Sequence, residues 1–581
     1  MTDRDEPADD DQQDRRAGGV SPPVEAAFDC ESTGGLTPPA RQDVGGLFSG
    51  LRIVSLCTLL SRVLGLVREI AMGALFGNGR VLDAFTVAFA IPNLARALFG
   101  EGALSTAFLP LFVREQDQHG REAANRFAGA VFVWAAIGLS ALVTVAEVAL
   151  AGVLWLAPLS ADTRLWLTLT ALMLPYLVLI CLTAQLGAVL NASGRFAVPA
   201  LLPVLFNLCL LGAIWWVQQR DLPAESQAMW LALAVVLTGG VQLGAACWQL
   251  GRTLRPDPRW REAKDRLREL LHVMAPIVLG LSITQLNTLC DRLIALGFSK
   301  PEAVEVDDFL EGVSRLVPND WRPLEAGTAS ALNQGQRLYQ FPLGLLGVAL
   351  GTVIFPLLTR HADRGDMQRF RDDLTLGLRL VFVIGLPASA GLWLLADQLS
   401  VVLFQHGNFT AEDARQTADM IACYGVGVWA FCGSLIVQRG YYAIGDRRTP
   451  LKIGLWVMLA NLCLNIGLIF VIGARGLALS TSLCGIVQFG LCLLFIQGRV
   501  GRLPWWSLTS NAGRAFVGTA AMTALAWWVL QQFSEQAVNS TGRLLQLGAT
   551  ILAALVSYAL LTLILRLDEF WMLLRRHREE S

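Results

Sequence analysis

A stretch near the start of the chain, residues 61–110, contains two long apolar segments joined by a short Gly/Asn turn, with charged side chains inside or at the edges of the segments. These are Arg62, Arg68, Glu69, Asp83, Arg96 and Glu101. An arginine at the centre of a membrane helix costs about 2.5–3.5 kcal/mol, so three of them in one hairpin indicate a watery cavity. A guanidinium is a planar, permanently charged fork for phosphate oxygens. The sequence therefore predicts a polar cavity that binds an anion.

The whole chain has the composition of a protein that crosses a membrane many times. Of its 581 residues, 54% are hydrophobic and 16% are charged, whereas soluble domains carry about 25% charged residues. The net charge of −1 indicates no class of partner, because basic and acidic residues are segregated into different loops. The only lysines are Lys264, Lys300 and Lys452, and none lies at the centre of an apolar segment. The buried cations are therefore all arginines.

Several kinds of chemistry lack support in the sequence. Ten of the eleven cysteines fall in apolar segments, where they act as small packing residues, and the five histidines are far apart. The sequence contains no Gly-Lys dipeptide, which excludes a Walker A loop and direct use of ATP. No nucleophile–base pair or set of metal ligands accompanies the arginines. We therefore expect no enzyme, no nucleic-acid partner and no resident cofactor.

Fourteen apolar segments are long enough to cross about 30 Å of hydrocarbon. They centre on 51–76, 82–112, 127–157, 164–190, 198–218, 228–250, 270–297, 330–358, 374–396, 417–443, 452–473, 476–498, 512–533 and 544–566. Residues 1–46 are acidic and rich in Pro, Gly, Asp and Gln, without a signal peptide's features, so they predict a disordered tail. The fold class is thus an all-α polytopic membrane protein.

Loop charge predicts the orientation of the chain. The loop between the sixth and seventh segments is strongly basic, and the loops after the second, eighth and tenth segments are also basic. The loop at 298–329 is acidic, and the one after the third segment has no basic residue before Arg164. Because cytoplasmic loops carry the Lys/Arg excess, both termini are predicted to be cytoplasmic.

Several long motifs, collinear over residues 50–500, resemble the MurJ/MviN family of lipid II flippases, which belongs to a larger group of flippases and exporters. They are SRVLGLVRE, LDAFTVAFAIPNLARALFGEGALSTAFLP, RLYQFPLGLLGVALGTVIFPLL, LFQHGNFT and RGYYAIGDRRTPLKI. The resemblance implies two pseudo-symmetric six-helix lobes and two further helices that form a groove for a lipid tail. The implied divisions are a tail at 1–46, a first lobe at 51–250, a basic loop at 251–269, a second lobe at 270–498, the groove helices at 512–566 and a cytoplasmic tail at 567–581.

The resemblance also implies a substrate, lipid II, which is an undecaprenyl-pyrophosphate-linked disaccharide-pentapeptide. The protein would move it from the inner to the outer leaflet of the bacterial cytoplasmic (inner) membrane by alternating access. This transport would supply peptidoglycan synthesis, and so cell-wall biogenesis and cell shape. Membrane lipids and the cell-wall synthesis machinery are further candidate partners. The implied substrate-binding residues are Arg62, Arg68, Arg96, Arg337, Ser61 and Asn93, and the implied gating residues are Glu69, Asp83 and Glu101.

The geometry of the first segment sets a condition on this site. Arg68 lies about 120° around an ideal helix from Arg62, so both reach one ligand only if the helix bends or breaks, or if the cavity is wide. Gly65 offers such a point, and Pro92 offers one in the second segment. A straight first helix with Arg68 facing lipid would count against the hypothesis.

Other readings remain open. The charges could simply pair, as Arg68 near Glu69, Arg62 with Asp83 and Arg96 with Glu101. The chain could be a flippase for another undecaprenyl-pyrophosphate-linked oligosaccharide, or a cation-coupled exporter of the same group, although cationic drugs would favour acids rather than arginines in the cavity. A membrane scaffold or receptor would need complete charge pairs, and a membrane enzyme has little support.

A second polar cluster is predicted in the later segments. Asp291, Asn461, Asn465 and Thr481 could supply oxygen ligands to a sodium ion, as some family members do, or the asparagines could hydrogen-bond between helices. With no nucleotide motif, the candidate driving forces are a sodium gradient, a proton gradient, the membrane potential or downhill flux. Moving one elementary charge across the membrane changes its free energy by about 2.3 kcal/mol per 100 mV of membrane potential.

Overall fold

The structure is a computed structural model and describes residues 44–98, 104–251, 264–300, 322–533, 540–567 and 569. The chain divides into two compact units, Met1–Ser49 and Gly50–Ser581. Of the predicted tail, only 44–46 are described, where they begin the first helix. Glu101, most of the basic loop at 251–269 and most of the acidic loop at 298–329 lie outside the described residues. Everything below concerns the second unit.

The first half of the chain contains six helices, of which the first begins at Val44, before the second unit starts. They are α1 Val44–Phe76, α2 Arg80–Ala95, α3 Leu104–Leu156, α4 Ala161–Ala192, α5 Ala197–Gln218 and α6 Ala224–Leu250. The boundary between the second and third helices differs from the predicted one. Helix α2 is followed by a π-helical turn at 96–98, before the predicted end at residue 112, and α3 continues through the predicted cytoplasmic loop. The only interruption inside α3 is Gly120, whose φ of 83° is readily adopted by glycine.

The second half contains ten helices in its described residues. They are α7 Lys264–Gly297, α8 Thr328–Asp363, α9 Met367–Leu394, α10 Ala396–Phe404, α11 Ala411–Gly425, α12 Val428–Ala443, α13 Arg448–Ile472, α14 Arg475–Val500, α15 Trp505–Gln532 and α16 Ser540–Ile564. The predicted segment 417–443 is two helices, α11 and α12, which meet at an angle of 43°. Regular structure is helical throughout the described ranges, apart from one isolated bridge between Ser299 and Leu324.

The all-α polytopic fold is confirmed, but the count of fourteen spans is not. Among the described residues, nine helices are long and apolar enough to cross a membrane, and the bent α11–α12 pair makes up to ten. Each remaining predicted segment is helical, namely α1, α7, α8 and α15. Helices α1, α7 and α8 carry the charged side chains discussed below, and these side chains lower the mean hydropathy of the three helices.

The buried side chains form two main cores. One packs α2, α4 and α6 around Leu169, Met173 and Leu231. The other packs α9, α12 and α14 around Phe370 and Tyr441. Helix α7 contacts α2 and α3 on one side and α8 and α13 on the other, so it lies between the two groups. We call these groups the first lobe (α1–α6) and the second lobe (α7–α14).

The last two helices pack on the second lobe. Helix α15 contacts α9 and α16. The hydroxyl of Tyr558 on α16 donates to the carbonyl of Val383 on α9 at 2.6 Å. A buried phenol with a partner costs less than one without, so this bond helps to fix α16 against the lobe.

Candidate functional site

A small cavity between the lobes is lined by charged residues from three helices. Arg68 and Glu69 come from α1, Arg292 from α7 and Arg337 from α8, and the other lining residues are Met72, Leu82, Phe85, Thr86, Phe89, Asn93, Leu210 and Asn333. We call this the central cavity. Its volume is about 40 Å³, far below the roughly 300–1,000 Å³ of a typical small-molecule pocket. The arginines therefore converge, but the lobes must part before a large anion can enter.

Arg68 is buried and held on every side. One of its nitrogens, Nη2, lies 2.6 Å from Oε1 of Glu69, and the other, Nη1, donates to Oδ1 of Asn207 at 3.1 Å. The guanidinium carbon lies 5.9 Å from the ring centre of Phe89 and 5.5 Å from that of Phe206. Cation–π contacts of this kind are stronger when desolvated. Arg68 therefore faces the protein rather than lipid, as the anion-site hypothesis requires.

Glu69 connects the two lobes. Its Oε1 lies 3.5 Å from Nη2 of Arg337 in addition to its ion pair with Arg68. Its Oε2 accepts a hydrogen bond from Nδ2 of Asn333 at 3.1 Å. One carboxylate thus binds groups from α1 and α8 at the same time. It occupies the position that an external anion would need to take.

Arg292 is a cavity residue that the sequence analysis missed. Its Nη2 donates to Oδ1 of Asn333 at 2.9 Å and to Oε1 of Gln336 at 3.0 Å. The signal was present, because Arg292 is an arginine inside an apolar segment, like Arg62 and Arg96.

Arg62 and Ser61 do not line the central cavity. Arg62 is exposed, and its guanidinium lies so close to Gly344 on α8 that a Cβ at that glycine would overlap it. The hydroxyl of Ser61 donates to the carbonyl of Thr58 at 3.1 Å. Because α1 is helical without interruption from Val44 to Phe76, it is not broken at Gly65. The two arginines of α1 therefore reach different places in this conformation.

Arg96 and Asn93 lie together at the end of α2. Arg96 donates through Nε and Nη2 to Oδ1 of Asn93, at 3.0 and 2.9 Å. Asn93 lines the central cavity and Arg96 is not among its lining residues. The predicted partner of Arg96, Glu101, lies outside the described residues.

Asp83 contacts the second lobe rather than an arginine. Its carboxylate accepts hydrogen bonds from the backbone of Gly327 at 2.8 Å and from the backbone and hydroxyl of Ser330, both at 2.7 Å. These groups form the first turn of α8. The suggested pair between Arg62 and Asp83 is therefore wrong for this conformation, because a helix N-terminus takes the carboxylate instead.

Two further sets of hydrogen bonds join the lobes at the same end. Asn408, in the loop after α10, donates through its backbone N–H to the carbonyl of Ala74 at 2.8 Å and through Nδ2 to that of Leu75 at 2.6 Å. Asn78 donates to the hydroxyl of Thr417 at 3.0 Å and accepts from Gln334 at 3.1 Å. We call this region the sealed end. It comprises residues 74–83, 327–334 and 408–417.

The loop before α11 is also held by a helix cap. Asp413 N–H donates to the Thr410 hydroxyl at 3.2 Å, and Thr410 N–H donates to Oδ2 of Asp413 at 2.8 Å. Together these two bonds form a capping box. The docking of this loop onto α1 was not foreseen, because it depends on residues more than 300 positions away.

The predicted ion cluster is brought together as a buried hydrogen-bond network. Asn465 donates through Nδ2 to Oδ1 of Asp291 at 2.6 Å and to Oδ1 of Asn461 at 3.1 Å. The Thr481 hydroxyl donates to Oδ2 of Asp291 at 3.3 Å, and the Ser480 hydroxyl donates to Oδ1 of Asn465. These groups connect α7, α13 and α14. Among the described residues, no three or more His, Cys, Asp or Glu side chains lie together in an arrangement that could hold a metal ion.

Two helical lobes that enclose a cationic cavity, with a seal at one end, define a multi-pass membrane protein of the transporter class. The family model described as lipid II flippase MurJ matches residues 72–547, and the chain belongs to this family.

Individual relatives agree with this assignment. The "Probable lipid II flippase MurJ" of Vibrio cholerae is 32% identical over 88% of this chain and 95% of its own length. The "Lipid II flippase MurJ" of Burkholderia cenocepacia is 32% identical over 77% of this chain and 82% of its own. A solved structure described as lipid II flippase MurJ in an inward closed conformation matches with a TM-score of 0.68 and 22% identity, over 88% of this chain and 98% of that one. This last likeness bears on the fold alone.

Proposed function

We propose that this protein moves lipid II from the inner to the outer leaflet of the bacterial cytoplasmic membrane, as a transporter rather than an enzyme. The observation that carries the proposal is the charge of the central cavity. Three arginines against one carboxylate leave two positive charges among its lining residues. A pyrophosphate offers the complementary charge and the planar oxygen pairs that guanidinium binds best. The names of its relatives in the same family support this substrate.

The geometry supports a sequence of events in transport. A substrate pyrophosphate that reaches Arg68 and Arg337 competes with Glu69, which holds both now. The lobes part to admit the headgroup, because the cavity in this conformation is too small for it. Breaking the contacts of Asp83 with α8 then opens the sealed end. The free energy of phosphate binding to the arginines thus offsets the free energy that is lost when contacts between the lobes break.

Loop charge supports the orientation. The sealed end lies where α1 ends and α8 begins, and in the sequence α8 begins at the end of the acidic stretch 298–329. We therefore assign it to the outer face of the membrane and both termini to the cytoplasm. With this orientation, the structure has the conformation in which the central cavity is closed towards the outer face of the membrane. Helices α15 and α16, which pack on α9, are the candidate groove for the undecaprenyl chain.

The Asp291 network is the candidate sodium site. The amide nitrogen of Asn465 lies against Asp291, so a cation fits only if that amide turns. The network would then offer one carboxylate with the neutral oxygens of Asn461, Asn465 and Thr481, which are hard ligands suited to a small cation. Sodium and the membrane potential are the candidate driving forces.

Thermal unfolding in detergent tests the sodium site. We expect a higher melting temperature in sodium chloride than in potassium or choline chloride, and no such difference in Asp291→Asn. Asp419→Asn, at an exposed pair with Arg475, is the matched control. Equal melting temperatures in all three salts would leave the network as an interhelical hydrogen-bond cluster only.

The proposed function is tested by depleting a host cell of its own lipid II flippase. Expression of this chain should restore growth and outer-leaflet lipid II. Arg337→Ala, at comparable membrane levels, should not, whereas Arg475→Ala should behave as the parent. Arg62→Ala and Arg96→Ala extend the test to the two arginines that lie outside the cavity lining here.

Other outcomes favour other functions. Rescue by all the arginine variants would refute the cationic site while leaving transport intact. No rescue by a well-inserted parent would favour another undecaprenyl-pyrophosphate-linked glycan or a cation-coupled exporter. Variants that lose membrane expression rather than flux would favour a scaffold.

A further inference from the structure

We infer that Arg292 forms a second phosphate subsite in the central cavity, so that the protein distinguishes a diphosphate lipid from a monophosphate lipid. This inference rests on the proposed function and names the residue that would confer its specificity. It starts from the position of Arg292, which lines the same cavity as Arg68 and Arg337 but comes from α7. The cavity arginines thus come from three helices.

The partners of Arg292 are neutral. Its Nη2 donates to the amide oxygens of Asn333 and Gln336, at 2.9 and 3.0 Å, and no carboxylate in the described part of the chain lies within 4.0 Å of it. Amide oxygens orient a guanidinium without neutralising its charge. A charged oxygen is a stronger acceptor than a neutral one, so a phosphate would compete well for this arginine.

The neighbouring Asp291 is engaged elsewhere. Consecutive residues of an α-helix point about 100° apart. The Asp291 carboxylate accepts from Asn465 on α13 and Thr481 on α14, while Arg292 faces α8. The charge of Arg292 is therefore directed to the cavity, not to its neighbour in sequence.

Glu69 indicates how two phosphates would lie. Arg68 and Arg337 approach its Oε1. Its Oε2 is bound by Asn333, whose amide oxygen in turn accepts from Arg292. The arginines therefore offer two separate binding positions for phosphate groups, one at Arg68 and Arg337 and the other at Arg292. A diphosphate has two linked anionic groups and can fill both, whereas a monophosphate can fill only one.

The test measures the equilibrium affinities of purified protein in nanodiscs for undecaprenyl pyrophosphate and undecaprenyl phosphate. The parent should prefer the diphosphate. Arg292→Gln should reduce diphosphate affinity roughly tenfold or more, the size of one charge-assisted hydrogen bond, and change monophosphate affinity far less. Arg292→Lys, which keeps the charge but loses the planar fork, should be intermediate.

Two further variants make the result decisive. Gln336→Glu places a carboxylate beside Arg292 without removing it, and should lower the diphosphate preference in the same way even if Arg292→Gln folds poorly. Arg475→Gln, on an exposed surface, is the matched control and should leave both affinities unchanged.

The possible outcomes separate the inference from the proposed function. Equal losses of affinity for both lipids in the Arg292 and Gln336 variants would show a structural role and overturn the inference. So would an unchanged preference in a folded Arg292→Gln protein. If the parent itself binds neither lipid, the proposed function fails and the inference fails with it.

Discussion

The carboxylate of Asp83 on α2 accepts two hydrogen bonds from Ser330 on α8, one from its backbone N–H and one from its hydroxyl, each at 2.7 Å. Gly327, the N-cap residue of α8, supplies no side-chain cap of its own. A residue of the first lobe therefore caps a helix of the second. Because an anion is stabilised at a helix N-terminus, this contact favours the conformation in which the sealed end is closed.

Replacement of Asp83 should loosen the sealed end. In Asp83→Asn the charge is lost and one carboxylate oxygen becomes a donor that faces other donors. We expect amide hydrogen exchange over residues 327–334 to rise roughly tenfold or more, since hydrogen bonds to a charged group contribute about 1.5–3 kcal/mol. Rescue of a flippase-depleted cell should weaken.

Asp162→Asn is the matched control, because Asp162 pairs with Arg80 at 3.0 Å within the first lobe. It should leave exchange at 327–334 as in the parent. Equal exchange in parent and Asp83→Asn would show that the other contacts of the sealed end suffice without this cap.

Removal of the charge of Glu69 should strengthen anion binding and slow transport. Glu69→Gln frees Arg68 and Arg337 from their shared carboxylate, so undecaprenyl pyrophosphate should bind more tightly, by about tenfold. Release should slow for the same reason, and cellular rescue should fall. Glu225→Gln, which removes the 2.6 Å ion pair of Glu225 with Arg80, is the control. Weaker binding by a stable Glu69→Gln protein would contradict the competition between Glu69 and substrate.

A side chain at Gly344 should displace Arg62. A Cβ at this position would overlap the Arg62 guanidinium, which is the far end of a long, exposed side chain and can move away at little cost in stability. We expect Gly344→Ala to move Arg62 and lower the flux in the parent with little change in melting temperature, and to change the flux much less in an Arg62→Ala background. Gly490→Ala, which meets no atom within 4 Å, is the control. Equal effects in both backgrounds would exclude the contact as the cause.

Asp446, in the loop before α13, should stabilise the protein in a pH-dependent way. Burial alone would raise the pKa of its carboxyl, but hydrogen bonds from the hydroxyl and backbone of Thr449, with Arg499 nearby, hold the pKa below its ordinary value. A depressed pKa stabilises the fold above the unfolded pKa of about 3.9. This stabilisation is lost as the pH falls through the folded pKa.

The measurement is the melting temperature of parent and Asp446→Asn between pH 7 and pH 3. The variant should melt lower at pH 7, and the difference should narrow as the pH falls below 4. Asp397→Asn provides a control, since this residue lies in the first turn of another helix, α10. A difference that stays constant with pH would point to hydrogen-bond geometry rather than charge.

Much of the architecture follows from local sequence. A run of apolar residues long enough to span the bilayer must be helical, because the hydrocarbon offers no other partner for its backbone. Arginines in such runs indicate a cavity, which is how Arg68 was identified, whereas Arg337 was implied by the resemblance to the family. The same rule applies to Arg292, which lies inside the apolar segment 270–297.

The partners of these residues were decided only by the tertiary structure. Sequence proximity and charge suggested Arg62 as the partner of Asp83, yet the Asp83 carboxylate accepts a hydrogen bond from Gly327 at the start of α8, 244 positions away along the chain. Arg62 and Arg68 share one helix but reach different surfaces, because one packs on Gly344 and the other between two aromatic rings. Types of side chain are local properties, whereas their pairing depends on which helices the packing of two lobes brings together. The sequence by itself therefore determined the class of protein and the presence of a cationic cavity, and only the fold decided which charges meet.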